Sequence, residues 1–289
     1  MFAFELDFLK WLESFRSGFL NTLFEGITML GEETLVILLV VALWFAVDRK
    51  LAQQVFFVTV ASLSLNGIIK NFAKIPRPFT KGVSCVRPDT ATGYAFPSGH
   101  TQGFATWCSF FALKLKKIWL RVLAAVLIFA VAFSRLYLGA HYPSDVIVGV
   151  ALGVLCSLLA SYLFAKVKDA KKLYLGTFLL LTPFIAYFLW IADPLYADLF
   201  KTFGMLGGLT AVAFLDEKIN LLSYDVAWWK KLLRIVIGVV LAVVLKEAIK
   251  LVNVFDVMSI SLLIDAARYF VVVIVIGYVC PLLFKKIKL

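Results

Sequence analysis

Charged residues are scarce in this 289-residue sequence. Asp, Glu, Lys and Arg make up 16% of it, whereas hydrophobic residues make up 62% and the mean hydropathy is +0.95. A water-soluble domain normally carries about 25% charged residues, which keep its surface solvated. The shortage of charge therefore argues against an ordinary soluble enzyme and indicates a chain that has lipid as its solvent.

Cysteine and histidine are also rare. The four cysteines do not pair at short spacing, so the sequence predicts neither a disulfide framework nor a zinc site. His100 and His141 are the only imidazoles, and no carboxylate cluster accompanies them, so we expect no metal and no cofactor. The first residues include Glu5, Asp7 and Glu13 and lack the basic start and the small-residue cleavage site of a secretory signal.

Long apolar runs fill much of the sequence, and about 20 such residues suffice to cross a bilayer as a helix. We therefore predict an all-α fold, a polytopic transmembrane helix bundle of about nine membrane helices. An amphipathic helix in the membrane interface precedes them, because Phe and Leu recur at helical spacing as far as Arg16. The predicted membrane helices cover residues 31–47, 51–72, 100–115, 118–138, 145–165, 173–192, 199–215, 232–252 and 262–284.

Three regions follow from this pattern, and no internal repeat or polar linker divides them further. Residues 1–30 form the N-terminal amphipathic interfacial helix, and residues 31–172 form a membrane core that carries the motifs described below. Residues 173–289 add further C-terminal transmembrane helices.

Lys and Arg are concentrated in alternate loops, which we assign to the cytoplasm because these charges resist translocation. The loops at 193–200 and 253–261 contain neither residue and are assigned to the outside. The net charge of +11 arises from short loops rather than from a continuous basic face, so we expect no nucleic-acid partner. The cytoplasmic cations are Arg49, Lys50, Lys114, Lys116, Lys117, Arg121, Lys166, Lys168, Lys171, Lys172, Lys218, Lys230, Lys231, Arg234, Lys285, Lys286 and Lys288.

One long outer loop, from Lys70 to His100, departs from this charge pattern. A loop with its own cations on a helical scaffold is a typical place for a binding or catalytic site, here one for an anion. The cations of this loop are Lys70, Lys74, Arg77, Lys81 and Arg87.

Both histidines lie at the outer ends of predicted helices. His100 closes the segment 97–100 at a helix N-terminus, where free N–H groups and the helix dipole favour an anion. Asp145 follows His141 by four residues, so its carboxylate can reach one imidazole nitrogen, fix the tautomer and stabilise the cation formed on attack. The pattern indicates a histidine nucleophile activated by a carboxylate.

Three spaced segments carry these residues. They are Lys70 with Arg77-Pro78, then Pro97-Ser98-Gly99-His100, then Ser134-Arg135 with His141 and Asp145. In this order and spacing, across roughly residues 51–165, the chain resembles the type 2 phosphatidic acid phosphatase superfamily. The resemblance implies that His141 attacks phosphorus, that Asp145 orients it, and that His100 protonates the leaving oxygen and then activates water. It also implies that the phosphoryl oxygens are held by Lys70, Arg77, Ser98, Gly99 and Arg135.

The activity expected from this resemblance is hydrolysis of a lipid phosphomonoester or pyrophosphate through a phosphohistidine, without a metal. The expected partners are the lipid phosphate and membrane lipids, and the sequence leaves the oligomeric state open. We expect a multi-pass protein of the plasma (inner) membrane with its site on the outer face. Two alternatives stay open, a lipid phosphotransferase with the same intermediate and a lipid or anion transporter. Soluble vanadium haloperoxidases share comparable residues, but the hydropathy disfavours them.

A second group of ionisable residues falls inside the last two predicted helices, where burial in hydrocarbon requires partners. We expect these residues to pair with one another, with a second anion contact as the alternative. Asn66, one turn before Lys70, is left out of the candidate site because a single amide in a bundle commonly makes an interhelical hydrogen bond. The ionisable residues are Lys246, Glu247, Lys250, Asp265 and Arg268.

Overall fold

The computed structural model describes residues 3–215, 222–251 and 257–289, and these residues form helices and loops without a β-strand. The predicted all-α fold is confirmed. The α-helices are α1 (Ala3–Glu13), α2 (Gly18–Thr28), α3 (Glu33–Ala42), α4 (Arg49–Ala73), α5 (Gly99–Leu115), α6 (Ile118–Tyr137), α7 (Pro143–Lys166), α8 (Ala170–Ile191), α9 (Ala197–Leu215), α10 (Trp228–Lys250), α11 (Met258–Ile274) and α12 (Cys280–Lys286).

Several helical segments are long and apolar enough to cross a membrane. Within the described ranges there are 6, or up to 7 if α2 and α3, bent by 49° at their junction, form one span. The chain is therefore an integral membrane protein. Lys218 and residues 253–256 of the predicted outer loop lie outside the described residues. The 6 candidate spans are Arg49–Lys81, Ile118–Tyr137, Pro143–Lys166, Ala170–Ile191, Pro194–Leu215 and Met258–Lys286.

The chain forms two compact units, and the first contains all the predicted site residues. This first unit comprises the described residues of Met1–Leu35 together with Leu65–Tyr162. In it α5 and α6 pack around a core that includes Phe104, Ala105 and Val131.

Small residues let α7 lie close against α5. A Cβ on Gly149 would lie 2.9 Å from the carbonyl oxygen of Ser98, and one on Gly153 would lie 2.6 Å from that of Gln102. One turn further on, the hydroxyl of Ser157 donates to the carbonyl of Thr106 at 2.6 Å. Residues 149, 153 and 157 thus form the small stripe by which membrane helices bring their backbones together. This contact places the first turns of α5 and α7 side by side.

The N-terminal helix α1 has two different faces. Leu9 and Leu12 are buried in a cluster with Val83, Ala95 and Tyr142. The large side chains of the other face are exposed, as interfacial anchors are in an amphipathic helix. They are Phe4 and Trp11, at 64% and 56% exposure. Helix α1 is therefore amphipathic, whereas its place in the membrane interface stays a prediction.

The second unit comprises the described residues of Val36–Ser64 and Leu163–Leu289. Gly204 brings α9 against the backbone of α11 so closely that a Cβ there would overlap Ala266. Among the ionisable residues of its last helices, Arg268 and Asp265 lie 2.8 Å apart and Lys246 and Glu247 lie 3.9 Å apart. Each pair joins residues close in sequence, since 265 and 268 lie about one helical turn apart and 246 and 247 are adjacent.

Candidate active site

The start of α7 brings Asp145 to His141. Pro143 occupies the first helical position, where its fixed φ suits a helix and its missing N–H costs nothing. Asp145, two residues on, reaches back so that its Oδ2 accepts from the backbone N–H of Tyr142 at 2.9 Å and lies 3.2 Å from Nδ1 of His141. Such a reach from the third residue to the residue before the helix is half of a capping box. The local sequence therefore places the carboxylate beside the imidazole, and both are buried.

Arg77 lies on the other side of the same imidazole. Its Nη1 is 2.8 Å from Nε2 of His141 and, as a guanidinium nitrogen, can only donate. With Asp145 accepting at Nδ1, the hydrogen-bond network assigns the proton to Nδ1 and the lone pair to Nε2. The nitrogen with the lone pair is thus the one that faces the cation.

The guanidinium of Arg77 is held by three backbone carbonyls. Its Nε donates to Gly93 at 3.1 Å, its Nη1 to Ala140 at 3.0 Å and its Nη2 to Thr92. These bonds tie the loop between α4 and α5 to the segment before His141. Arg77 is only 5% exposed, so its charge acts in a place from which water is largely excluded.

The surroundings of His141 favour the neutral form of its imidazole. Burial, followed by the nearby charge of Arg77, lowers the pKa of His141 well below its ordinary value. The charges of Arg135, Lys70 and His100 act on this pKa in the same direction. The neutral form is the one that has a lone pair for attack on phosphorus.

Arg135 has buried donors that lack an acceptor. It is 0% exposed, and its Nη1 donates to the hydroxyl of Thr28 at 2.9 Å. Its Nε and Nη2 are buried without a hydrogen-bond partner, as is Nε2 of His100. An unsatisfied buried polar group costs about 1–3 kcal/mol, and more when it is charged. The unpaired N–H groups of Arg135 are complementary in charge to an anion.

The segment 97–100 is fixed by backbone contacts. The N–H of Ser98 donates to the carbonyl of Asp145 at 3.0 Å, and its hydroxyl lies 3.0 Å from that of Thr101. A Cβ on Gly99 would lie 3.8 Å from Nζ of Lys70, so the end of α4 meets the start of α5. All the predicted site residues thus belong to one unit, at or near helix ends.

Of the remaining cations in the loop between α4 and α5, Arg87 pairs with Glu32 at 2.9 Å. Lys74 and Lys81 are exposed. The part of the chain that the structure describes contains no group of three or more His, Cys, Asp or Glu side chains arranged to hold a metal ion.

Sequence reasoning missed several residues that support the site. Asn66, which was left out, donates from its Nδ2 to the carbonyl of Pro97 at 3.2 Å and to Oε1 of Gln102 at 2.9 Å. Its position one turn before Lys70 was a usable signal. Thr28 and Glu5 contact the site from the N-terminal segment. The signal for Glu5 was an acid on the same helical face as two buried leucines.

A bundle of apolar helices with a buried His–Asp pair and a buried arginine beside it defines a membrane protein with a candidate anion site. Comparison of the sequence with family profiles gives its family. Residues 51–169 match the PAP2 superfamily, and residues 200–289 match the transmembrane extension of PAP2 superfamily phosphatases. The chain belongs to the PAP2 superfamily, and the first match includes every predicted site residue.

Individual proteins that the chain resembles include two curated relatives. It is 31% identical over 137 residues to dolichyldiphosphatase of Saccharomyces cerevisiae, covering 44% of this chain and 57% of that protein. It is 29% identical over 178 residues to phosphatidylglycerophosphatase B of Bacillus subtilis, covering 54% of this chain and 81% of that protein. The match thus spans little more than half the length of the yeast relative.

Among solved structures, the fold is similar to that of Aquifex aeolicus LpxE, with a TM-score of 0.50 and 22% identity. This similarity covers 56% of the chain and 96% of LpxE. At that identity the likeness concerns the fold alone.

Proposed function

We propose that this protein hydrolyses the phosphomonoester or pyrophosphate of a membrane lipid through a phosphohistidine at His141. The observation that carries the proposal is the buried imidazole of His141, which has Asp145 at Nδ1 and Arg77 at Nε2. The same unit contains the buried donors of Arg135 that lack a hydrogen-bond partner. Phosphoryl transfer needs a positioned nucleophile together with cations and N–H donors for the equatorial oxygens, and this site offers both.

The reaction has two steps. Nε2 of His141 attacks phosphorus, the bond to the leaving oxygen breaks, and His100 gives its proton to that oxygen. His100 then takes a proton from water, whose oxygen attacks phosphorus and breaks the P–N bond to release inorganic phosphate. The carboxylate of Asp145 stabilises the positive imidazole of the intermediate.

Phosphoryl oxygens would be held by Lys70, Arg77 and Arg135 with the N-terminus of α5 at Ser98 and Gly99. These residues supply the positive charge that metal ions supply in many other phosphoryl-transfer sites. We therefore infer catalysis without a metal cofactor. Activity should persist after dialysis against a chelator.

The substrate class follows from the membrane setting and the relatives. The names of the yeast and Bacillus subtilis proteins specify a polyprenyl diphosphate and a phospholipid monoester, and both are lipids with a terminal phosphate. Lipid substrates and membrane lipids are accordingly the proposed partners. One name specifies a pyrophosphate and the other a phosphomonoester, so the assay has to include both kinds of substrate.

The finer topology is also a proposal. Nine spans require that α3, α5 and α10 cross the membrane in addition to the 6 segments that meet the criteria of length and apolarity alone. The distribution of Lys and Arg supports an outer location of the site in the plasma (inner) membrane. Labelling of single cysteines placed in successive loops with an impermeant reagent would test both. Protection of the loop between α4 and α5 from outside reagent would contradict the orientation.

The function is tested by phosphate release from lipid monophosphates and polyprenyl pyrophosphates with detergent-purified protein. His141→Ala should abolish release and also abolish acid-labile labelling of the protein by radioactive substrate. His100→Ala should lower turnover severely. Lys81→Ala, which removes an exposed cation of the same loop, is the matched control and should keep near-wild-type activity.

The alternatives give different results in the same assay. A phosphotransferase would form a new phosphorylated lipid when acceptor alcohols are added, with little free phosphate. A transporter would stay folded, bind the lipid phosphate and release no phosphate. Full activity in His141→Ala would end the phosphohistidine proposal.

A further inference from the structure

A buried carboxylate of α1 contacts the helix that carries Asp145. Glu5 is 2% exposed and lies on the same face of α1 as Leu9 and Leu12. Its Oε1 accepts a hydrogen bond from the backbone N–H of Ser144 at 2.8 Å, across 139 residues of sequence. Burying a carboxylate is costly unless hydrogen bonds and positive charge offset it. The positive end of the α7 dipole provides that offset here.

The first turn of α7 has no N-cap side chain from its own sequence, and Glu5 takes that role. The residue before the helix is Tyr142, whose side chain cannot act as the Ser, Thr, Asp or Asn of a normal N-cap. Asp145 satisfies the N–H of Tyr142, but the N–H of Ser144 would otherwise be one of the free donors of a helix start. Glu5 accepts from that donor, so a distant residue completes the cap.

This turn holds together the two histidine-bearing segments of the site. Oδ2 of Asp145 lies 3.2 Å from Nδ1 of His141, and the carbonyl of Asp145 accepts from the N–H of Ser98 at 3.0 Å. Ser98 directly precedes Gly99 and His100. A shift of the first turn of α7 would therefore move the carboxylate of Asp145, which orients His141, together with the segment 97–100.

Helix α1 is itself held firmly enough to act as a support. Arg16, just after α1, donates from its Nε to the carbonyl of Tyr137 at 3.0 Å and from its Nη1 to that of Ser84 at 3.0 Å. The carboxylate of Glu13 accepts from the hydroxyl of Ser84. One end of α1 is thus tied to the loop and to the end of α6, and Glu5 lies near the other end.

We propose that Glu5 is a positioning residue of the active site. Its carboxylate caps α7 and keeps Asp145 and Ser98 in place around His141, without touching the substrate. The inference rests on the proposed function, because its effect is read through phosphorylation of His141. Misplacement by about 1 Å can cost on the order of 100-fold in rate, so a small movement of this turn is enough to be measured.

The test compares Glu5→Ala and Glu5→Gln with Asp7→Ala, an exposed acid of the same helix. The measured quantities are kcat, KM and the single-turnover rate of protein labelling, all per folded molecule as judged by size-exclusion chromatography. Glu5→Ala should lower kcat and the labelling rate by about 10- to 100-fold with little change in KM. Glu5→Gln keeps an acceptor oxygen without the charge and should lose about 3- to 10-fold. Asp7→Ala should behave as the wild type.

Several outcomes would overturn the proposal. One is a kcat within twofold of the wild type in Glu5→Ala. If Glu5→Ala yields no folded protein, Glu5→Gln decides, and a kcat within twofold contradicts the role. A loss seen only as lower yield of folded protein, with kcat per folded molecule unchanged, makes Glu5 merely structural. Failure of the proposed function itself is separate, because wild-type protein would then show no labelling that depends on His141.

Discussion

Nη1 of Arg77 lies 2.8 Å from Nε2 of His141, so the nitrogen expected to attack phosphorus is hydrogen-bonded to a guanidinium. A phosphoryl group that approaches Nε2 must take over this donor. Arg77 would then stabilise the phosphoryl oxygens in the transition state at the position where it now holds the imidazole. The same contact keeps the imidazole neutral and in the reactive tautomer.

Arg77 should therefore contribute to the chemical step through the position of its donor as well as through its positive charge. We expect Arg77→Ala to lower kcat by about 100- to 1,000-fold, the usual loss for one removed oxyanion donor. Arg77→Lys keeps the charge but not the fork that also binds three backbone carbonyls, so it should restore only part of the loss. The measurement is phosphate release from the best lipid substrate. Equal activity of Arg77→Lys and the wild type would show that geometry at this position is unimportant.

The pH dependence of the first step follows from the environment of His141. Burial and the charge of Arg77 lower the pKa of His141. The imidazole should therefore stay neutral at pH values below its ordinary pKa of about 6.5. With an aryl phosphate, whose leaving group needs no acid, the rate of protein labelling should stay flat from pH 8 to below about 6.5 and fall only at lower pH. A decline centred at or above 6.5 in rapid-quench measurements would contradict this assignment.

The close packing of α5 and α7 makes Gly153 sensitive to substitution. A Cβ there would lie 2.6 Å from the carbonyl oxygen of Gln102 and 2.8 Å from Cβ of Ala105, so Gly153→Ala must push the helices apart. We expect a loss of about 1–3 kcal/mol in the free energy of unfolding, measured as a lower Tm in detergent. Gly176→Ala is the matched control, because its new Cβ would meet nothing within 4 Å. Equal Tm values for the two variants would refute the packing argument.

Much of the site could be predicted because its parts are local in sequence. The interval from His141 to Asp145, with Pro143 between them, is enough to bring a carboxylate back to the imidazole at a helix start. The apolar runs likewise predict helices, since a membrane requires every backbone polar group to be satisfied within the segment. The number of membrane-spanning helices is harder to predict from the sequence, because α5 has only 17 residues and charged residues interrupt α10.

The order of apolar runs and the three motif segments by themselves determined an all-helical membrane protein and its candidate catalytic residues, because backbone hydrogen bonding and motif chemistry act over short stretches of chain. The tertiary structure alone decided that Glu5 caps α7 and that Thr28 accepts from Arg135. Those bonds join residues more than 100 positions apart, 139 in one case and 107 in the other. No local propensity encodes such a contact, since it depends on how α1 and α2 pack against the motif-bearing helices.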